Sequence, residues 1–523
     1  MVPGIGSDMA DYVELHCHSY YSFQEGASSI DDLVLQAQNL GYVALALTDH
    51  DNLCGAMEFT KACKAKNIHP IIGAEVTLLG GYHITLLVRT TEGYSNLCRL
   101  LSSAHVFSER RHPQVDPNLF QSHAEGLIAL SGCRSGEVPS LVMKGRLKES
   151  HEVAKRYIEW FGKSNYFVEL QQNLVHGDTE RNARLVKLAE GLGVPLVATN
   201  NVHYHVKNRH RLQDCLVAIS HSASLDETHQ ERRANAEFFL KSAQAMESLF
   251  QNFPEAVRNT ALIANRCQFD LTRDLSYRFP SHSVPEGHTP QSYLEQICME
   301  AAQGRYGAIT PKTQARLEEE FRLIKKHDLA GFFLIYQEII QLAREVQVDL
   351  GLVNPEVPII EAPPGRGRGS SVVMLVGYLI GLSHIDPLQY DLPLHRFLPE
   401  EVGPAPDIDL DFPRNIREEL IKRVHQKYGW DHAALTGMFS TYHIRGAIRG
   451  LGKALGLPSN EVDKLAKRVE HAEAKQLHHE MLSLPDYRDK SDAPVWQDLV
   501  NLAPQIGGFP RYLGQHSGGM IIS

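Results

Sequence analysis

Over its first 200 residues the chain alternates short β-branched runs with helical patterns, and no other feature limits the possible folds so strongly. VELHCH (13–18), VALALT (43–48), HPIIGAEVTLL (69–79), YHITLLV (82–88), GLIALSG (126–132), YFVELQ (166–171) and VPLVATN (194–200) read as strands. Between them IDDLVLQAQNLG (30–41), GAMEFTKACKAKN (55–67), GYSNLCRLLSSAH (93–105) and DTERNARLVKLAEGLG (178–193) read as helices. Strands alternating with helices of this length indicate βαβ units and a parallel sheet. Seven strands suit a closed or nearly closed β/α barrel better than an open sheet. In such barrels the chemistry sits at the C-terminal ends of the strands.

Beyond residue 205 the strand rhythm fades, and 205–280 reads as helical and polar. FPSHSVPEGHTP (279–290) is the best candidate for a domain boundary. SYLEQICMEAAQGRYG and TQARLEEEFRLIKKHDLAGFFLIYQEIIQLAREV follow as amphipathic helices, then a Gly/Pro-rich loop (361–371), an apolar run (372–382) and an acidic cluster (407–411). The longest apolar run, Ser371 to Leu382, is too short for a bilayer span of about 20 residues, and no signal peptide is readable. No membrane association is therefore expected. Eight cysteines without repeated C-x-x-C pairs fit reduced thiols in a cytoplasmic protein. The net charge of −10 argues against nucleic acid as a partner, but it is an average. From 421 to 470, nine Lys/Arg face four Asp/Glu.

Several of the 27 histidines fall at strand ends. His16 and His18 are two apart, so on a strand both rings point to one face. Glu25 follows in a turn, His50 lies in Asp49-His50-Asp51 after the second strand, Glu75 lies on the third and His83 opens the fourth. Cys133 ends the fifth, and Asn201 and His203 end the last. Imidazole, carboxylate and thiolate groups converging on one barrel mouth can hold several divalent metals. Such ions lower the pKa of a bound water and clamp a phosphate during hydrolysis.

H-x-H, T-D-H-D, G-A-E, S-G-C and T-N-x-V-H-Y, in this order and spacing, resemble the motifs of PHP (polymerase and histidinol phosphatase) domains over residues 11–206. That resemblance implies a distorted seven-stranded β/α barrel with phosphoesterase or 3′–5′ exonuclease chemistry and two to three ions. Ligand roles follow for His16, His18, Glu25, His50, Glu75, His83, Cys133 and His203, with Asn201 where the family usually has Asp. His/Cys/carboxylate donors favour Zn²⁺ or Mn²⁺.

Pro406-Asp407-Ile408-Asp409-Leu410-Asp411-Phe412 is the second constellation. On a strand the three aspartates face one side, and they repel unless a divalent cation sits between them. Two Mg²⁺ ions held there can activate a 3′-hydroxyl and stabilise departing pyrophosphate. About forty residues upstream lies Pro364-Gly365-Arg366-Gly367-Arg368-Gly369-Ser370-Ser371, whose glycine amides, arginines and following helix N-terminus would favour a phosphate.

GRGSS (367–371), DPLQYDLPLHRFLPEE (386–401), PDIDLDF (406–412), REELIKRVHQKYG (417–429) and HIRGAIRGLGKALGLP (443–458) resemble the palm and thumb of C-family bacterial DNA polymerases, the DNA polymerase III alpha-subunit family. GGFPRYLGQHSGGMIIS (507–523) is most similar to the error-prone, translesion branch. The resemblance implies that Asp407 and Asp409 are catalytic, that Gly367, Arg368, Gly369 and Ser370 meet the nucleotide phosphates, and that Asp411 is structural. Lys422, Arg423, Lys427, Arg445, Arg449 and Lys453 are expected along a DNA backbone, with salt-dependent binding. The implied fold class is α/β, a PHP barrel followed by a partial α+β, nucleotidyltransferase-like palm and a helical thumb. The expected division is 1–206 barrel, 207–285 helical extension, 286–436 palm, 437–510 thumb and 511–523 the start of the palm's return. Expected partners are primer-template DNA and deoxynucleoside triphosphates, with a sliding clamp and translesion accessory proteins engaged through C-terminal modules beyond Ser523. The chain stops before the strand that carries the family's third aspartate, so these residues alone are not expected to extend a primer. A PHP-type phosphoesterase or 3′–5′ exonuclease without polymerase activity is the alternative, and an inactive interaction scaffold a third.

Overall fold

The structure is a computed structural model, and it describes residues 12–109, 111–275, 282–401, 408–470 and 473–522. The chain forms two compact units: Met1–Ser276 with Phe439–Leu513, and Tyr277–Met438 with Gly514–Ser523.

The first unit is built on a curled six-stranded sheet in sequence order: β1 (Ala44–Leu47), β2 (His69–Leu78), β3 (Tyr82–Val88), β4 (Leu127–Leu130), β5 (Tyr166–Gln171) and β6 (Leu196–Thr199). The expected parallel sheet is corrected to a mixed one. β1–β2, β4–β5 and β5–β6 pair in parallel, but β3 runs antiparallel to both neighbours because only Leu79–Gly81 separate it from β2. A three-residue connection suits a hairpin and cannot accommodate a crossover helix. The reversal also moves the start of β3 to the end of the sheet where the parallel strands finish, which is why His83 joins residues from strand C-termini.

The seventh strand expected at 13–18 is not a regular strand. The segment lies between β1 and the chain after β6, with Ala46 N donating to Glu14 O, Thr48 N to Cys17 O and Val202 N to His16 O. Two of its own amides go instead to side chains, His16 N to Glu14 Oε1 and Cys17 N to Thr48 Oγ1, which interrupts the ladder. Residues 13–18 thus join the two edges of the sheet without extending it as a strand.

Strand alternation sorts the barrel's contents. Ile71, Leu87, Ile128, Leu130, Phe167 and Val197 fill one end of the interior with Val13 and Leu15, and Ile263 and Ala264 from the helix Pro254–Arg266, with Cys267 just after it, pack against them. Two-residue steps from the same apolar positions reach Glu75, Thr85 and His83, Glu169, and Thr199, so the opposite end is polar. Ile72, Ala74, Val76, Val168, Leu170 and Ala198 face outward under the helices. Within this unit a second core joins Tyr204 and the helix His210–Ser220 to the helices Ile444–Ala454 and Pro494–Ile506.

The second unit gathers the helices Pro290–Tyr306, Pro311–Lys326 and Ala330–Asp349 around the buried run Val373–Leu382. β7 (Arg366–Arg368) pairs antiparallel with β8 (Asp409–Asp411). β9 (Ala433–Thr441) and β10 (Pro510–Ile522) form a further two-stranded sheet, and the unit boundaries fall within them. Among the described residues no helix is long and apolar enough to cross a membrane.

Candidate metal centre and aspartate strand

Glu75 is the hub of the barrel mouth. It is buried on β2, and its Oε2 lies 3.3 Å from His16 Nε2, 3.3 Å from His18 Nε2 and 2.9 Å from His50 Nε2. Its Oε1 lies 3.2 Å from His83 Nδ1, and Cys133 Sγ is 3.6 Å from the same nitrogen. Glu25 Oε2 reaches His50 Nε2 at 3.2 Å. The rings of His18 and His203 stack at 4.3 Å, and His203 Nε2 is 2.9 Å from Asn201 Oδ1. All nine residues named from the sequence therefore converge on one mouth.

These separations suit a metal. Ligand atoms about 2.0–2.2 Å from a tetrahedral ion lie roughly 3.4 Å from one another. Among the described residues, His16, His18 and Glu75 form one group and His50, Glu75 and His83 another, with ligand atoms within 4.8 Å. The Nε2 atoms of His16 and His18 are fully buried without a hydrogen-bond partner. Orphaned buried nitrogens of this kind are uncommon and call for a ligand.

The electrostatics agree. Burial alone would raise the Glu75 carboxyl, yet His50, His16 and His83 hold it well below the usual carboxylate range. Burial lowers His18 to about 3, leaving a neutral ring with a free lone pair. Burial opposes charging of His50, but Glu25 and Glu75 lift it to about 9. Burial pushes the Cys133 thiol up to about 12, a shift that a bound cation would reverse.

A supporting shell fixes the rings, and most of it was missed in the sequence. His16 Nδ1 donates to Glu169 Oε1 at 2.7 Å, which turns Nε2 toward Glu75. Gln171 Nε2 and Thr199 Oγ1 donate to the same carboxylate oxygen. His18 Nδ1 donates to Ser22 Oγ at 3.0 Å, and Ser22 Oγ donates to Asp49 Oδ1 at 2.7 Å. The available signal for Glu169 was a single carboxylate inside the otherwise apolar YFVEL. Arg233, in the irregular segment between the helices His210–Ser220 and Ala243–Leu249, carried no signal. A cavity of about 540 Å³ adjoins the centre, lined in part by Glu25, Cys133, Asn201, Arg134, Arg181 and Arg233.

In the second unit, β7 and β8 lay the arginine-glycine segment directly against the aspartates, in the register Arg366↔Asp411, Gly367↔Leu410 and Arg368↔Asp409. Asp409 and Asp411 are exposed while Ile408 is buried, and Arg368 Nε pairs with Asp411 Oδ2. A Cβ on Gly367 would stand 2.5 Å from Leu382 O, and Gly369 has φ +66°, so both positions require glycine. Asp407 lies outside the described residues. A cavity of about 720 Å³ is lined by Arg368, Asp409, Asp411, Tyr336, Arg417 and His516, among others.

Residues 292–523 match the family model described as the bacterial DNA polymerase III alpha NTPase domain, and residues 14–173 match the PHP domain. Over residues 292–523 the chain is similar to the bacterial DNA polymerase III alpha family. It is 37% identical to a protein named error-prone DNA polymerase from Symbiobacterium thermophilum, across 98% of this chain and 47% of that protein. It is 34% identical to a DNA polymerase III subunit alpha from Treponema pallidum (98% and 44%) and 33% identical to an error-prone DNA polymerase from Pseudomonas savastanoi pv. phaseolicola (98% and 47%). The chain spans about half the length of the curated relatives it matches. Both families are metal-dependent.

Two expectations drawn from the sequence need correction. The helix after the glycine-rich loop does not offer a free N-terminus. Ser370 lies in a 3₁₀ turn, Gly369–Val373, and the α-helix that follows is only Leu375–Leu379. Its amides at Leu375 and Val376 donate to the two carboxylate oxygens of buried Glu320, each at 2.8 Å. The basic stretch is likewise not one open surface. Lys422, Arg423 and Lys427 belong to the second unit, and Arg445, Arg449 and Lys453 to the first. Lys427 pairs with Glu338 at 2.9 Å, Arg423 with Asp349, Lys422 with Glu419 at 3.5 Å and Arg449 with Asp463 at 3.1 Å. Arg445 donates to the Val469 carbonyl at 3.2 Å. Acidic residues on neighbouring elements, invisible to a count along the chain, neutralise much of the local excess.

Proposed function

We propose that this chain takes part in DNA-directed DNA synthesis of the error-prone, translesion type, with the aspartate strand as the nucleotidyl-transfer site. The carrying observation is the β7–β8 pairing, which sets Arg368 across from Asp409 within the segment matched by the polymerase family. Asp407 and Asp409 would hold the catalytic divalent ions, Mg²⁺ by donor type, and such ions activate the attacking 3′-hydroxyl and stabilise the leaving pyrophosphate. Gly367, Gly369 and Ser370 give the incoming triphosphate close backbone approach, and Arg368 supplies a cation whose position Asp411 holds. Primer-template DNA and deoxynucleoside triphosphates are the substrates of this reading, in the bacterial cytoplasm. A sliding clamp and accessory translesion proteins are its wider partners. Primer extension by the native gene product tests it: Asp409→Asn removes incorporation, and incorporation at the unmodified rate would refute it.

The barrel supports a second reading, phosphoester hydrolysis of the 3′–5′ exonuclease kind. Its observation is the arginine-lined cavity beside the metal groups. His16, His18 and Glu75 would hold one ion, and His50, Glu75 and His83 a second near Glu25 and Cys133, with Zn²⁺ or Mn²⁺ suited to these donors. Ions so placed supply a water of lowered pKa and a clamp for a phosphate. Glu169 and Asp49 orient the histidines, and Arg134 is placed to meet a substrate phosphate. Release of nucleotides from a single-stranded 3′ end, abolished by Glu75→Gln, is the expected result; release unaffected by that substitution would refute it.

A further inference from the structure

Arg233 lies within the metal centre and belongs to none of the ligand sets above. It is in the cavity lining with Glu25, Cys133 and Asn201, and its strongest electrostatic partners are Glu25, Cys133 and Glu75. Its Nη2 is 3.2 Å from His203 Nδ1 and in closer contact with His203 Nε2, while its guanidinium carbon stands 4.7 Å over the Phe238 ring. Its Nε is buried without a hydrogen-bond partner.

His203 Nε2 also faces Asn201 Oδ1 at 2.9 Å, and its ring stacks on His18. Were His203 a metal ligand through Nε2, an ion about 2.0–2.1 Å from that nitrogen would compete with Nη2 for the same place. Asn201 adds no negative charge there to draw in a second cation, and a guanidinium beside a dication is repelled by it. The two ligand groups centred on Glu75 contain neither His203 nor Asn201. The arrangement is self-consistent if one cationic position of the mouth is filled by protein.

We propose that the Arg233 guanidinium occupies the position offered by His203 and Asn201, as a built-in cation in place of a metal ion, so that the barrel mouth takes two ions and not three. This rests on the reading of the mouth as a metal centre. The exchange would leave a fixed N–H donor able to hold a substrate phosphate without a bound water to activate at that position.

Metal counting tests it without reference to activity. The full chain is stripped with chelator, loaded with Mn²⁺, desalted and analysed by elemental mass spectrometry. About two ions per chain are expected, and His203→Ala should still hold about two. Asn201→Asp combined with Arg233→Met should rise to about three, with a further upward shift in melting temperature on Mn²⁺ addition. Three ions in the unsubstituted chain, loss of one on His203→Ala, or a folded double variant that stays at two would overturn the proposal. Fewer than one ion in every form would overturn it differently, by removing the metal centre itself. His203→Ala carries the test if the double variant does not fold.

Discussion

Among residues outside the candidate metal-ligand groups, Glu169→Gln is the sharpest test of the centre. The carboxylate is completely buried, accepts the His16 Nδ1 proton at 2.7 Å, and receives further donors from Gln171 and Thr199. The charge does two things: it fixes the tautomer that leaves Nε2 free, and it raises the electron density that Nε2 offers a cation. Burial opposes protonation of His16, but without an ion Glu169 and Glu75 together hold its pKa well above the usual imidazole value, so an ion binding through Nε2 would displace a proton. A glutamine of the same shape can still accept from Nδ1 through its oxygen, so geometry survives while the charge is lost. Loss of such a supporting carboxylate typically weakens metal affinity about 10–100-fold, or roughly 1.4–2.8 kcal/mol. Competition titration of Mn²⁺ or Zn²⁺ against a chromophoric chelator measures this directly, with circular dichroism to confirm an unchanged fold. Two ions should respond unequally, the one bound through His16 more than the one bound through His50 and His83. Affinity equal to wild type at both would refute the assignment of His16 Nε2 as a ligand.

Other consequences are equally specific. Glu320→Ala removes the partner of two buried amides and of Arg316, 2.7 Å away, and should destabilise the second unit by about 3–5 kcal/mol in urea denaturation; a change under about 1 kcal/mol would contradict the capping role. Burial, outweighing the Leu375 and Val376 amides and Arg316, raises the Glu320 pKa. Its contribution is therefore fully present below the ordinary carboxyl pKa and lost as pH rises through the raised value, and Glu320→Gln should flatten that limb of the stability–pH curve. Asp411→Asn releases Arg368 from its ion pair and should raise the KM for nucleotide severalfold while kcat changes less, read by steady-state primer extension. Glu75→Gln should abolish binding of both ions in equilibrium dialysis, because its two oxygens serve both groups.

The sheet was legible because strand and helix periods alternate cleanly; the six strands and the helices Ile30–Asn39, Ala56–Ala65 and Asp178–Leu192 fall where the pattern puts them. The direction of β3 was not, since a period of two is the same read either way and only the length of the 79–81 connection encodes the reversal. Residues 13–18 failed for another reason. Val13 and Leu15 pack with the barrel interior, whereas Cys17 packs outward and His16 and His18 turn inward, a change of parity that alternation cannot contain. The candidate metal ligands were readable as unusual residues at strand ends, while Arg233 required knowing which irregular loop folds over the mouth. The basic stretch misled because Glu338, Glu345 and Asp349 lie more than 70 residues away in sequence from the cations they neutralise.

The first unit's composition ties the metal centre to a distant part of the chain. The turn between His18 and Glu25 carries Tyr20, whose ring meets Phe509 at 5.1 Å, and Tyr21, whose ring meets Phe439 at 5.3 Å; Gln24 Nε2 donates to Tyr442 Oη at 3.5 Å. Tyr204, next to His203, is fully buried in the core formed with Tyr442, Ile448 and Leu451. Opening of 439–513 would therefore loosen the turn that positions Glu25 and the segment that positions His203. Binding only to the closed form stabilises it by RT ln(1 + [L]/Kd), about 2.7 kcal/mol at a hundredfold excess over Kd. That corresponds to roughly a hundredfold slowing of amide exchange for openings that disrupt the site. Mn²⁺ should then protect the helix Ile444–Ala454 as well as the barrel mouth in hydrogen-exchange mass spectrometry. Protection limited to residues 12–205 would mean that 439–513 opens without disturbing the centre, and the shared core would be packing without coupling.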